Sequence, residues 1–90
     1  MEIQKSDIVR ALAGRDKKKL FFVIDLDERF ALIADGKSRK LENPKRKKLK
    51  HLAFEMKSDS RAAMKIRAGE KITNSEIRRT LAGFAADDGE

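Results

Sequence analysis

The sequence predicts a mainly β fold, a small barrel of about five strands followed by a C-terminal α-helical extension. Residues 7–36 contain three short apolar runs, at 8–13, 20–26 and 30–34, which charged turns separate. Apolar side chains at every second position are typical of strands, because successive side chains point to opposite faces. The last part of the chain instead repeats its apolar residues at helical spacing. A chain of 90 residues is long enough for one domain with a small core.

The middle apolar run, LFFVIDL at Leu20–Leu26, predicts the central strand, since it is rich in Phe, Val and Ile and is apolar on both faces. A first strand is predicted at Asp7–Leu12 and a third at Phe30–Ala34. Residues 27–29 form a short hairpin turn, and Asp35-Gly36 predicts a second turn because glycine accepts positive φ. The side chains expected in the core are Leu20, Phe22, Ile24, Phe30 and Leu32.

Two further strands complete the predicted barrel. A short one is expected at Arg39–Glu42, and the last at His51–Met56, whose apolar residues alternate. Pro44 ends any strand pairing between them. Five short strands with tight turns are typical of an SH3-like barrel, whose closure removes most exposed sheet edges. We therefore expect residues 1–56 to form the barrel and residues 57–90 the extension.

The extension begins with a polar linker and contains one well-defined helix start. Residues 61–67 are compatible with a short helix or with an irregular segment. Thr73 and Glu76 match a capping box, in which each side chain bonds the backbone N–H of the other. The helix is expected to run to about Ala85, before an acidic tail at 87–90. Its apolar stripe should pack on the barrel, because a short isolated helix is marginal in water; the stripe is Ile77, Leu81 and Phe84.

The charge of the chain is unevenly distributed. The formal net charge is +7 and the sequence pI is about 9.9. Residues 1–52 hold 15 Lys and Arg residues against 8 Asp and Glu, whereas residues 53–90 hold 7 of each kind. All of the excess therefore belongs to the predicted barrel, as expected for a surface that binds a polyanion.

Three groups of Lys and Arg residues in this basic half are candidates for phosphate contacts. They are expected to lie in loops that a barrel would hold rigidly. A solvated basic loop is the alternative for each group, and the run after Pro44 taken alone is equally compatible with both. The first group is Arg15, Lys17, Lys18 and Lys19; the second is Lys37, Arg39 and Lys40; the third is Lys45, Arg46, Lys47, Lys48 and Lys50.

Two blocks of the sequence resemble the KOW motif, a short β–loop–β unit of ribosomal proteins and transcription-elongation factors. The first block carries Val9, Gly14-Arg15-Asp16-Lys17, Lys19 and Val23-Ile24, and the second is ADGKSRKLENPKRKKLKHL at 34–52. Together they are similar to a ribosomal-protein-like KOW family, which includes small proteins of Gram-positive bacteria and large-subunit ribosomal proteins of archaea and eukaryotes. The resemblance implies a KOW barrel that binds ribosomal RNA on or near the ribosome.

The chain departs from this motif at Lys18, where the hallmark glycine is expected. If the backbone of the family is kept, Lys18 takes positive φ, which is strained for a residue with a Cβ atom. If it is not kept, the loop is rebuilt. In both cases the replacement adds a positive charge.

Enzymatic and metal-dependent functions find little support in the sequence. There is one histidine, His51, inside a basic run, and there is no cysteine. No carboxylate cluster has a recognisable ligand spacing, and Gly14 and Gly36 are too isolated for a nucleotide-binding loop. We therefore expect no enzyme, no cofactor, no metal and no small-molecule substrate.

Several further features bear on location and on the kind of RNA. No apolar run approaches the roughly 20 residues that span a bilayer, and the N-terminus lacks the apolar core of a signal peptide. These features and the absence of cysteine favour a cytoplasmic protein without a membrane partner. The aromatic residues are all Phe and mostly fall in strands; at most one, Phe21, is a candidate for an exposed stacking surface.

The sequence as a whole therefore predicts an RNA-binding module that binds structured ribosomal RNA through basic loops. Two alternatives remain open. One is a protein-interaction module of the transcription or translation machinery, with protein partners, and the other is a double-stranded DNA binder. Charge and composition alone indicate only a polyanion.

Overall fold

A computed structural model describes residues 2–15 and 17–88, with side chains to Phe84. It confirms a small β-rich, barrel-like fold in which a five-stranded antiparallel sheet precedes two helices. A single 3₁₀ turn, Leu49–His51, joins the last two strands. The strands are β1 Asp7–Ala11, β2 Leu20–Leu26, β3 Phe30–Ala34, β4 Lys45–Lys48 and β5 Leu52–Lys57; the helices are α1 Arg61–Ala68 and α2 Asn74–Asp88.

The sheet is curled because its two edge strands are consecutive in the chain. The strand order is β4-β3-β2-β1-β5, so a flat sheet would place β4 and β5 about 19 Å apart. The four residue steps from Lys48 to Leu52 cover at most about 14 Å even when fully extended. The connection is bonded to both sides of the sheet: Leu49 N–H donates to the Arg29 carbonyl oxygen at 2.8 Å, and Leu12 N–H donates to that of His51 at 2.9 Å.

Both faces of the sheet are covered, and β2 contributes to each. Phe21 and Val23 lie inside the curl, whereas Phe22 lies on the outer face, against the helices. The inner cluster is Val9, Ala11, Phe21, Val23, Ala31, Ile33 and Leu52. The outer cluster is Ile8, Phe22, Ala34, Ala63, Ile66, Ile77 and Leu81. The prediction that β2 is the central strand is thus confirmed, and the suggestion that Phe21 is an exposed stacking surface is wrong, because its ring is fully buried.

The predicted core is correct only at Phe22. Leu20 and Ile24 pack on the outer cluster but stay half-buried, and Phe30 and Leu32 are also half-buried. An irregularity in the β2–β3 pairing, between Val23 and Asp25, shifts the register there. The alternate residues Ala31 and Ile33 fill the inner core instead.

The fourth strand lies later than predicted. No strand forms at Arg39–Glu42, where Leu41 N–H donates to Asn74 Oδ1 at 2.8 Å and so joins this segment to α2. The basic run Lys45–Lys48, expected to be a loop, is itself β4 and pairs with β3. A strand of lysines is stable at this position because their long aliphatic stems cover sheet surface while the charged ends reach water. The predicted bounds of β1 and β5 are within one residue of those observed.

Both helices begin with a side-chain cap. In α1, Ser60 Oγ accepts the Ala63 N–H at 3.1 Å, which resolves residues 61–67 as helical. The capping box is confirmed, since Glu76 N–H donates to Thr73 Oγ1 at 3.2 Å and Thr73 N–H donates to Glu76 Oε1 at 3.1 Å.

The apolar stripe of α2 packs on the barrel as predicted. Ile77 and Leu81 are buried in the outer cluster, and Phe84 packs against it. The helix continues three residues beyond the expected Ala85, to Asp88, and the last two residues of the predicted acidic tail lie outside the described residues. Neither described helix is long and apolar enough to cross a membrane.

Candidate nucleic-acid interface

The β1–β2 loop ends in a bulge at Lys18. The Lys18 N–H donates to the Ala11 carbonyl oxygen at 2.8 Å, and the Ala11 N–H donates to that of Lys19 at 3.1 Å. Two residues of one strand thus oppose one of the other, in the pattern of a G1 bulge, whose first residue is usually a left-handed glycine. Lys18 has a φ of +75°, the positive value expected if the backbone of the motif is kept. Asp16, which belongs to the same motif, lies outside the described residues.

The turn after β3 is organised by the carboxylate of Asp35. Its Oδ1 accepts the N–H groups of Lys37 at 2.9 Å and Arg39 at 2.8 Å, and its Oδ2 accepts Ser38 Oγ at 2.8 Å. Partial burial raises the pKa of Asp35, but the hydrogen bonds from Arg39, Lys37 and Ser38 and the charge of Lys19 outweigh it, so the pKa lies below 3.8. The carboxylate stays ionised at neutral pH and fixes the direction of the Lys37 backbone.

Helix α2 fixes the position of this turn. Arg78 Nη1 donates to the Gly36 carbonyl oxygen at 2.6 Å. Gly36 has a φ of +76°, and a Cβ atom there would collide with the backbone oxygen of Asn74. The Asn74 side chain bonds the segment beyond the turn twice, since it accepts the Leu41 N–H and its Nδ2 donates to Glu42 Oε1 at 2.7 Å. The turn and α2 therefore have a fixed relative arrangement.

An open groove of about 710 Å³ lies between the bulge, the turn and α2. Among the described residues, its walls carry five cationic side chains and one carboxylate, that of Asp35, over an apolar floor. We call it the cationic groove. Its lining is Arg10, Lys18, Lys19, Leu20, Asp35, Lys37, Ser38, Arg78, Leu81 and Ala82.

The two arginines of the cationic groove are held in place by contacts within the protein. Arg10 Nε lies 3.1 Å from Glu55 Oε2, and its Nη1 donates to the Lys18 carbonyl oxygen at 2.6 Å. Arg78 is bonded to Gly36 as described above. Lys18 and Lys37, by contrast, are exposed at the rim. The groove thus combines oriented arginines with accessible lysine ammonium groups, and the apolar floor strengthens their field.

The structure brings together only part of the predicted site. From the first two groups, Lys18, Lys19 and Lys37 line the cationic groove. Arg15 and Lys17 are exposed in the same loop as Lys18, but they do not line the groove. Arg39 is half-buried and Lys40 is exposed, also outside the groove, so four of the seven residues in the first two predicted groups do not line it.

Arg10 and Arg78 are the groove residues that sequence reasoning missed. Arg10 sits in a strand, between apolar neighbours, and Arg78 directly follows Ile77 of the helical stripe. A cation at the edge of an apolar stripe is a weak signal, since many surface helices carry one. Only the packing of α2 against the β3–β4 turn shows that Arg78 faces this groove.

The third predicted group is divided by the alternation of β4. Lys45 and Lys47 pair with the buried Ile33 and Ala31 and are half-buried. Lys47 Nζ donates to the Ala13 carbonyl oxygen at 3.0 Å and thereby ties β4 to the β1–β2 loop.

The other members of this group point away from the inner core. Arg46 and Lys48 are exposed and pair with Leu32 and Phe30 on the outer face. Lys50 is exposed in the 3₁₀ turn. These three cations therefore form a second basic surface, separate from the lining of the cationic groove.

The described part of the chain shows no group of three or more His, Cys, Asp or Glu side chains that could hold a metal ion. The one histidine, His51, is half-buried in the 3₁₀ turn, where its backbone oxygen accepts the Leu12 N–H. Its observed contact is thus structural.

Comparisons with known protein families and with curated proteins found no match for this chain. The likeness to the KOW motif therefore rests on the residues quoted above.

Proposed function

We propose that this protein is an RNA-binding module that binds structured RNA, of the ribosomal kind, through the cationic groove. The observation that carries the proposal is the convergence of Arg10, Lys18, Lys19, Lys37 and Arg78 on one groove with a single carboxylate in its lining; Arg10 is also paired with Glu55 outside that lining. That carboxylate, Asp35, already accepts three hydrogen bonds from its own turn. A phosphate backbone is the natural partner of such a surface, because oriented cations neutralise it and release its counterions.

The form of the groove favours folded RNA over a flexible single strand. Its floor is aliphatic, made by Leu20, Leu81 and Ala82, and it offers no aromatic ring on which successive bases would stack. Structured RNA is recognised mainly through its shape and its phosphates, as these cations allow. The resemblance to KOW proteins favours ribosomal RNA, which implies a cytoplasmic protein that works on or near the ribosome.

A salt titration with matched variants tests this proposal. Wild type is compared with Lys19→Gln/Lys37→Gln, which removes two groove charges, and with Lys57→Gln/Lys71→Gln, which removes two exposed charges elsewhere. The probe is a structured ribosomal RNA fragment, with duplex DNA of equal length as competitor. The groove variant should flatten the slope of log affinity against log salt by about 1.4–1.8, and the control variant should change it little.

Three results would contradict the proposal. An equal loss in both variants would indicate diffuse polyanion binding, and equal affinity for the duplex would favour a DNA binder. Copurification of protein partners that survive RNase treatment, without any measurable RNA binding, would favour a protein-interaction module. Circular dichroism of each variant controls for folding.

A further inference from the structure

Like the half-buried Phe54, Phe30 is an aromatic residue that lies outside both core clusters. Its side chain is half-buried and belongs to neither the inner nor the outer cluster. Its backbone is rigid, because Phe30 N–H donates to Asp27 Oδ1 and Asp27 N–H donates to the Phe30 carbonyl oxygen, both at 2.9 Å. These bonds fix the backbone from which the ring projects at the start of β3.

A cavity of 570 Å³ lies beside this ring, and we call it the Phe30 cavity. Its volume falls within the range of about 300–1,000 Å³ that is usual for small-ligand sites. Three cations and one carboxylate surround it, so its charge is positive. The lining is Glu28, Arg29, Phe30, Lys48, Leu49 and Lys50. The Leu49 N–H bond to the Arg29 carbonyl oxygen joins the two walls.

Arg46 covers one face of the Phe30 ring and lies with it in the lining of a neighbouring pocket, not in the lining of the Phe30 cavity. Its guanidinium carbon lies 3.5 Å from the centroid of the Phe30 ring. A cation over an aromatic face is attracted by the ring's quadrupole, so this contact holds Arg46 and Phe30 together. Both phenyl and guanidinium planes are groups on which unpaired RNA bases stack.

We propose that the Phe30 cavity receives an unpaired nucleobase of the bound RNA, which stacks on Phe30 while Lys48 and Lys50 contact its flanking phosphates. This inference rests on the proposed function and adds to it a site for a bulged or looped nucleotide. The cationic groove has charge without an aromatic ring, whereas this cavity has both. The cationic groove therefore binds the phosphates of the folded RNA, and the Phe30 cavity binds one extruded base.

The test uses two RNA hairpins that differ by one bulged nucleotide. Wild type should bind the bulged hairpin at least about five-fold more tightly, the lower end of what base–aromatic stacking contributes. Phe30→Leu, which keeps an apolar side chain, should abolish this preference, and Phe30→Tyr, which keeps the ring, should retain it. Lys19→Gln/Lys37→Gln should weaken both hairpins and leave their ratio unchanged.

The outcomes separate this inference from the proposed function. If wild type binds both hairpins equally, or if Phe30→Leu keeps the preference, the stacking site is wrong while RNA binding stands. If wild type binds neither hairpin, the proposed function fails and the inference fails with it. Thermal melts show whether Phe30→Leu remains folded.

A fluorescence experiment reports stacking directly, because the chain has no Trp and no Tyr. Phe30→Trp places a single indole at the cavity, and the bulged hairpin should quench it more than the paired one. Met64→Trp is the control, since Met64 is 59% exposed on α1 and lines neither the groove nor the cavity. Equal quenching in both variants would overturn the inference.

Discussion

The backbone of Lys18 bonds to that of Ala11 in a bulge that glycine usually occupies. The 2.8 Å hydrogen bond from Lys18 N–H to the Ala11 carbonyl oxygen requires the φ of +75° that Lys18 adopts. A residue with a Cβ atom is strained there. The same lysine lines the cationic groove, so the strain accompanies an additional charge at the proposed RNA interface.

Lys18→Gly should therefore raise the free energy of unfolding and weaken RNA binding slightly. Relief of the left-handed strain contributes about 1–2 kcal/mol, and the greater freedom of the unfolded chain offsets part of it, which leaves a gain of about 0.5–1 kcal/mol. Denaturant unfolding measures this. Lys17→Gly is the matched control, because Lys17 has no positive φ, and it should be destabilising. A stability loss in Lys18→Gly like that in Lys17→Gly would show that Lys18 carries no strain.

Gly36 and Gly69 offer a comparison that separates backbone strain from close approach. Both have positive φ, but a Cβ atom at Gly36 meets the Asn74 carbonyl oxygen, whereas one at Gly69 meets nothing within 4 Å. Gly69→Ala should cost about 1 kcal/mol from strain alone, and Gly36→Ala more than about 2 kcal/mol because the turn must move from α2. Equal losses of unfolding free energy would mean that the turn shifts without cost.

Phe22→Ala should be the most disruptive single truncation in the outer cluster. Phe22 is fully buried between the sheet and both helices, so the loss of its ring should cost about 3–5 kcal/mol. This is a large share of the stability of so small a domain. Leu32→Ala, at a half-buried position, should cost clearly less. Chemical denaturation compares the two, and a cost below about 1 kcal/mol for Phe22→Ala would contradict the assignment of this face.

Strong local signals explain which elements the sequence predicts well. The bounds of β2 and β3 match the structure because their apolar runs end in charged turns, and the capping box of α2 depends on residues three apart. The sequence also gives a positive φ at Lys18 as one of its two alternatives, because that signal lies within a short motif.

Long-range contacts explain what the sequence does not predict. The strand β4 has no apolar pattern, and it forms because β3 offers an edge to a chain that must return to β5. Likewise, Leu41 was assigned to a strand, but its backbone bonds to Asn74 in a helix that starts 33 residues later. The same contacts bring Arg78 to the candidate site, and no local pattern around Arg78 indicates this.

The pH dependence of stability should reveal the charge of Asp35. Its pKa is lower in the folded protein than the ordinary 3.8, so the ionised carboxylate stabilises the fold above that pH. That stabilisation is lost as the pH falls through the folded pKa. Asp35→Asn keeps one acceptor oxygen and removes the charge, so the variant should be less stable at pH 7 and the difference should shrink below pH 3.8. A difference that is constant with pH would mean that the charge contributes nothing.

The alternation of β4 predicts that its four cations have two different roles. Arg46 and Lys48 are exposed on the outer face, whereas Lys45 and Lys47 are half-buried, and Lys47 is bonded to Ala13. The sequence predicts that all four lie in one basic loop and contact phosphates. Because these residues form a strand instead, the four cations fall into an inner pair and an outer pair.

Arg46→Gln/Lys48→Gln should reduce RNA affinity and its salt dependence, and Lys45→Gln/Lys47→Gln should mainly reduce stability. For wild type we expect log affinity to fall with log salt at a slope of about −3 to −5, as for four to six neutralised phosphates. The outer pair should flatten this slope by about 1.4–1.8 on different structured RNAs alike, because phosphate contacts do not select sequence. The inner pair should lose about 0.5–1.5 kcal/mol of unfolding free energy with the Lys47 bond, with a smaller change in slope. Salt titrations and denaturant melts of both variants measure the two effects, and equal changes in slope would show that the orientation of the strand does not decide which cations reach the RNA.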